Sequence, residues 1–289
     1  MKKKNRIVPL LRWGALTFCL VFLGAYVAKG LAQGDGRTGG GDPAPGRQRG
    51  GRDQGQLNAT PDKTKRCFGG VRVPAGVYSV GSLQGQIDER PVRQVKLEAF
   101  VLDRCEVTWN RYMKCVAEGV CRRPPGEGEE SKQGRRPVTR VTFRDAATFC
   151  RWEKKVLPTE DQWEAAARGK EARRYPWGEE ASCEKANYGA FDGQGPCAEV
   201  NPGRPRKVGT GRADESPFGA LDMAGNVWEW TRCSRQKSCG KGEAVLKGGS
   251  CCSMFLLPRS ANRWPITGAY RDADIGFRCL QKVESDNTR

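Results

Sequence analysis

An α+β fold, loop-rich with few helices and short strands, is predicted by three features of this 289-residue sequence. Two stretches, 67–81 and 92–102, alternate apolar and polar residues as half-buried strands do. Three helix starts then follow, each marked by a threonine cap. Beyond Gly169 lie more than a hundred residues with Gly, Pro or Asn every few positions and no sustained helical period.

Within 67–81 the alternation runs on both sides of Pro74-Ala75-Gly76, which reads as two short strands and a turn. Segment 92–102 supplies another strand. Thr108 caps a helix that puts Tyr112, Cys115 and Val116 on one face and stops at Gly119. Residues 122–137 read as a charged, exposed Gly/Pro loop. Thr142 with Asp145 three residues on makes a capping-box pattern, and Ala146, Phe149 and Cys150 share a face of the helix behind it. Thr159 with Gln162 repeats the device for a helix carrying Trp163, Ala166 and Ala167 and ending at Gly169. The second half is left to short strands and ordered loops, which need staples to hold their shape.

The composition excludes much chemistry. There is no histidine, so Ser-His-Asp and Cys-His relays, mixed Cys/His zinc fingers and histidine-rich metal sites are all ruled out. Any reaction must run on cysteine, carboxylates, Lys, Tyr, backbone or a metal held by sulfur or oxygen. The chain is basic, with 50 Lys+Arg against 33 Asp+Glu and a formal charge of +17. Residues 1–65 hold 12 of the cations and 4 of the anions, a charge of +8, which leaves 17 − 8 = +9 for the remainder. About half of the basic excess therefore lies ahead of the domain, where it suits anionic lipid. No nucleic-acid-binding fold accompanies it, which disfavours that partner.

The amino terminus reads as an export segment, residues 1–32. Lys2, Lys3, Lys4 and Arg6 precede an uncharged run over 13–28, and small residues before Gln33 offer a cleavage point. A cleaved signal and an uncleaved membrane anchor both fit. Residues 33–65 read as a flexible Gly/Pro/Arg linker, 66–283 as the folded domain and 284–289 as a tail. The expected location is periplasmic, cell-surface or membrane-anchored, facing an oxidising compartment. There the cysteines are expected to form disulfides. Thirteen are present, twelve without Cys19. Short spacing suggests Cys115 with Cys121, Cys183 with Cys197, and Cys233 with Cys239. The pairing among Cys67, Cys105, Cys150, Cys251, Cys252 and Cys279 stays open. Zinc clusters are the competing reading, but no CxxC occurs.

Taken in order, a set of segments resembles the formylglycine-generating enzyme family, also called sulfatase-modifying factors. They are VPAGVYSVG (73–81), ERP (89–91), EVT (106–108), RPV (136–138), VTFRDA (141–146) and LPTEDQWEAAARG (157–169), then YPWG (175–178), FGALDMAGNVWEW (218–230), KGGS (247–250), RSANR (259–263) and GFR (276–278). The resemblance covers roughly 67–283 and implies a variant of the C-type-lectin architecture. It also implies structural calcium held by Asp222 and Glu229 through their carboxylates and by Gly225 and Val227 through their carbonyls, oxygen ligands that suit a hard cation. A second calcium site would start near Asn187-Tyr188.

The family's copper cysteines stand three and eight residues after the serine of the Gly-Gly-Ser segment. Counted from Ser250, these places hold Ser253 and Pro258. Cys251 and Cys252 lie just upstream, but adjacent side chains in extended backbone point apart and clamp one ion poorly. A disulfide from one of them to Cys279 is the more ordinary use. The iron branch of the family is excluded by the missing histidines. Two expectations remain. One is an exported binding or accessory module for a protein or peptide ligand, without copper, whose groove beside Ser250 is lined by Trp228, Trp230, Arg259 and Arg263. The other is a copper- and O2-dependent oxidase converting a sulfatase cysteine to formylglycine, with Ser250, Cys251 and Cys252 in a displaced site.

Overall fold

The computed structural model describes residues 67–126, 134–191, 193–211, 214–234, 239–253 and 258–283. The export segment, the linker and the tail lie outside the described residues. Among the described residues there are nine short strands, three α-helices and one 3-10 turn at Ile87–Glu89. In chain order the strands and α-helices are β1 (Gly70–Val73), β2 (Gly76–Val80), β3 (Arg93–Leu97), β4 (Phe100–Asp103), α1 (Trp109–Ala117), α2 (Phe143–Trp152), α3 (Glu160–Arg168), β5 (Trp228–Thr231), β6 (Glu243–Lys247), β7 (Arg263–Thr267), β8 (Ile275–Gly276) and β9 (Leu280–Lys282). Loop-rich α+β is the observed class.

The three helices begin where the threonines predict. Thr108, Thr142 and Thr159 each accept the backbone N–H three residues on, and the last two close full capping boxes with Asp145 and Gln162. The strand expectation needs one correction. Segment 92–102 is two strands, because the chain breaks at Glu98-Ala99 and sends β3 to β2 but β4 to β1 and β9. β1 and β2 therefore join different sheets despite the short turn between them. The third sheet runs β7-β6-β5-β8, antiparallel except for the β5–β8 pair.

Two apolar clusters fill the interior. In one, Tyr112 of α1 and Phe149 of α2 stack at 5.4 Å, and Phe277 meets Phe149 edge-on at 5.5 Å, above Trp230 and Leu246 of the third sheet. In the other, Trp163 and Ala165–Ala167 of α3 pack on Tyr78, Phe100, Leu102 and Leu280. Truncating a buried ring such as Phe149 to alanine costs about 3–5 kcal/mol.

Five disulfides staple the described residues: Cys67–Cys105, Cys115–Cys121, Cys150–Cys279, Cys183–Cys197 and Cys233–Cys239. They include all three short pairs. Cys279 is taken by Cys150 on α2, which overturns the expected link from Cys279 to Cys251 or Cys252.

Candidate functional site

The turn that follows β6 gathers the residues on which the chemistry depends. Gly248 and Gly249 both take positive φ, and a Cβ on Gly248 would lie 3.0 Å from the Trp163 ring, so the segment can press against α3 only as glycine. Ser250 then opens a tight turn. Its N–H donates to Ser253 Oγ at 2.8 Å, and its own Oγ accepts the Cys252 N–H at 3.3 Å. Backbone bonds from Cys251 N–H to the Asn226 carbonyl and from Gly189 N–H to the Ser253 carbonyl dock the turn against its neighbours.

Cys251 and Cys252 lie outside the five disulfides. Because the backbone turns here, their Sγ atoms sit 3.4 Å apart, which corrects the expectation that the side chains diverge. Cys251 is fully buried, and the hydrogen bond with Cys252 together with burial holds its thiol far above the ordinary range. It is thereby kept protonated, the opposite of an activated nucleophile. Cys252 is partly exposed and its Sγ lies 3.4 Å from the Gly203 carbonyl.

The groove residues expected beside Ser250 are mostly elsewhere engaged. Trp230 is fully buried and donates to the Val141 carbonyl. Arg259 forms a bidentate pair with Glu89, and Arg263 one with Glu160, all four side chains buried. These three residues are structural, because burying an arginine demands a carboxylate partner. Trp228 is nearly buried but packs edge-on against Trp264 at 5.7 Å, and Trp264 in turn meets Tyr270. Trp264 and Tyr270 are exposed, and with Trp228 behind them they form an aromatic ledge. The Trp228 N–H donates to the Asp274 carbonyl, and the Asp274 carboxyl bonds Ser250, so ledge and turn are directly linked.

The segment 222–229 is wound as a tight turn, with positive φ at Asp222, Gly225 and Asn226. A Cβ on Gly225 would lie 2.3 Å from the Asn187 carbonyl oxygen, which only glycine avoids. Glu229 is committed to other partners: Arg278 donates to both its oxygens at 2.7 Å, and Trp163 Nε1 donates at 2.8 Å. As placed, Glu229 is the counter-ion of a buried arginine and does not fit a calcium ligand. Asp222 differs. It accepts the Gly209 N–H, and its own N–H donates to Asp214 Oδ2 at 3.1 Å. Burial, reinforced by the Asp222 charge, pushes Asp214 up to about 8, and burial with the Glu106 charge does the same for Asp222. Glu106, which accepts from Asn226 Nδ2 at 2.8 Å, is pushed up to about 7. One oxygen of Glu106 and one of Asp214 are buried without a hydrogen bond. Sequence reasoning named neither residue, although Glu106 stands inside the EVT segment. The only trio of metal-type side chains converging within 4.8 Å among the described residues is Glu160, Cys233 and Cys239, whose two sulfurs are a disulfide.

The fold and these motifs define a class. Residues 56–283 match the sulfatase-modifying factor enzyme 1-like domain, and the chain belongs to that family. It is 33% identical over 291 residues to the formylglycine-generating enzyme of Mycobacterium tuberculosis, covering 73% of this chain and 96% of that one. It is 27% identical to a bovine protein named inactive C-alpha-formylglycine-generating enzyme 2, covering 72% and 86% of the two. PvdO from Pseudomonas aeruginosa superimposes with a TM-score of 0.60 at 24% identity, over 76% of this chain and 97% of that one, a likeness of fold. Two chlamydial relatives are much longer, and the chain spans 38% of each.

Proposed function

We propose that this chain is an exported binding or accessory module that keeps the family scaffold without the copper chemistry. The observation that carries the reading is the state of the sulfur pair. Two sulfurs clamping one ion linearly stand about 4.6 Å apart at a metal–sulfur distance of roughly 2.3 Å. Cys251 and Cys252 stand at 3.4 Å, and Cys251 holds its proton. Ser253 and Pro258 occupy the places of the family pair. The aromatic ledge of Trp264 and Tyr270 is the surface we assign to a protein or peptide ligand, since exposed aromatics linked to a rigid turn are common anchors. Five disulfides suit an oxidising, extracytoplasmic environment, and the basic amino terminus would hold the module at a membrane if uncleaved. Among the described residues no helix is long and apolar enough to cross one.

Calcium enters the proposal on the Asp222 side, with the Gly225 and Val227 carbonyls, because Glu106 and Asp214 leave buried oxygens unmatched there while Glu229 is spent on Arg278. A second reading, the displaced copper oxidase, is favoured by the fact that Cys251 and Cys252 take no part in the five disulfides of the described residues. The deciding experiment supplies the purified chain with copper(I), oxygen and a peptide carrying Cys-X-Pro-X-Arg. No aldehyde and no oxygen uptake are expected. Aldehyde formation that disappears in Cys252→Ser would establish the oxidase instead.

A further inference from the structure

A cavity of about 710 Å³ lies between β1, β4 and the amino-terminal half of α1, walled on one side by the Cys67–Cys105 disulfide. Five cations and three acids line it. Most of these charges are spent on one another. Arg111 and Lys155 both bridge to Asp103 and to Glu153, which closes a four-membered network. Arg104 pairs with Glu215 at 2.8 Å. Glu106 is buried and engaged elsewhere, accepting from Asn226 Nδ2 at 2.8 Å.

Lys114 and Arg135 are left over. Neither has an acidic partner within 4.0 Å among the described residues. Their placement is fixed by the backbone: the Asn110 N–H donates to the Gly134 carbonyl and the Trp109 N–H to the Arg136 carbonyl, which holds Arg135 against α1. Val101, Val208 and Phe68, the last 76% exposed, supply the apolar part of the wall, and Thr108, Asn110 and Gln281 its uncharged polar part. An exposed phenylalanine beside two cations without acidic partners sets an apolar contact and a positive potential side by side.

We infer that this cavity binds a small organic anion, an apolar body against Phe68, Val101 and Val208 with one carboxylate or phosphate held by Lys114 and Arg135. The volume suits a ligand of that kind. Arginine forks either head group bidentately and lysine adds a point charge. The site is separate from the Ser250 turn and does not depend on whether that turn is catalytic.

The test uses the full chain and three probes: phenyl phosphate, phenylacetate and the uncharged benzyl alcohol, titrated by calorimetry at constant ionic strength. Saturable one-to-one binding of at least one anion is expected, with none of the alcohol. Tighter phenyl phosphate assigns a phosphate ester, and tighter phenylacetate a carboxylate. The double variant Lys114→Ala/Arg135→Ala should bind at least tenfold more weakly while melting as the parent does. Lys170→Ala/Lys241→Ala, which removes the same charge from exposed positions outside the cavity wall, should bind as the parent does. The inference is overturned if neither anion saturates, or if the two double variants lose affinity equally.

Discussion

Lys247 Nζ meets Glu164 Oε2 at 2.9 Å with both side chains shut away from water. The other Glu164 oxygen accepts from Arg168 at 2.8 Å and from the Gly81 N–H at 2.7 Å, and Lys247 also donates to the Ala261 carbonyl. Four stretches of chain are thus tied to one carboxylate. Removing one member of such a set leaves charge buried without its partner. Glu164→Gln is therefore expected to lose about 3–5 kcal/mol in urea unfolding. Lys247→Met paired with Glu164→Leu should lose less than Glu164→Gln alone, since one buried cation, Arg168, is then left without its carboxylate instead of two.

The same network sets the acid limit of the fold. Burial would raise Glu164 and Glu160, but Lys247 and Arg168 for the first, and Arg263 for the second, outweigh it and hold both below the usual 4.5. A carboxylate lowered on folding stabilises the native state above its unfolded pKa, and that stability is lost as the pH falls through the folded value. The part of the urea midpoint that these two carboxylates contribute, read for Glu164 as the difference between the parent and Glu164→Gln, should be steady from pH 7 down to about 5 and shrink below it. A Glu164→Gln variant should show a shallower acid slope.

Asp214, Asp222 and Glu106 respond with the opposite sign. Their folded pKa values lie near 8, 8 and 7, so in chelator their protonated forms favour the fold at low pH and this is lost as the pH rises toward 8. A cation would replace those protons. Calcium is expected to raise the melting temperature more at pH 8.5 than at pH 5.5, and Asp222→Gly, which suits the positive φ of 56° while deleting the carboxylate, should abolish the effect. An identical curve with and without calcium at both pH values would remove the ion.

Thiol chemistry should divide the adjacent pair. Alkylation of the native chain is expected to label Cys252 first, because Cys251 is fully buried and held protonated. Peptide mapping by mass spectrometry after denaturation should find both reduced and the other ten described cysteines oxidised. A Cys251–Cys252 or Cys252–Cys279 bridge in that map would contradict the arrangement.

The helices were legible because their signals are local: Thr142 with Asp145 and Thr159 with Gln162 carry the whole capping box within four residues. The three short disulfides were legible for the same reason. What escaped depends on distant partners. Nothing near Arg259 announces Glu89, 170 positions away, and nothing near Cys150 announces Cys279. Arg259 and Arg263 were expected in a groove because the family resemblance sets one beside Ser250 and arginine is a common interface anchor, and only the fold supplies the carboxylates that allow their burial. The bend that brings Cys251 and Cys252 together was missed because extended backbone was assumed where Ser250 makes a turn.

The bridge from Cys150 to Cys279 closes a loop of 129 residues, and chain-entropy reasoning assigns it about 5 kcal/mol against roughly 2 for the six-residue loop of Cys115–Cys121. Replacing both Cys150 and Cys279 by alanine should accordingly cost about twice as much in unfolding free energy as removing the shorter bridge.

That long bridge also governs what a protease can achieve. Most of the loops after α3 lie between its two cysteines, so a nick in any of them severs the backbone without separating the halves. A clipped molecule would travel as intact on a gel without reductant and fall into two fragments once the sulfur link is opened. In an oxidising, extracytoplasmic environment, where no thiol pool opens it, damage to one loop leaves the chain in one piece.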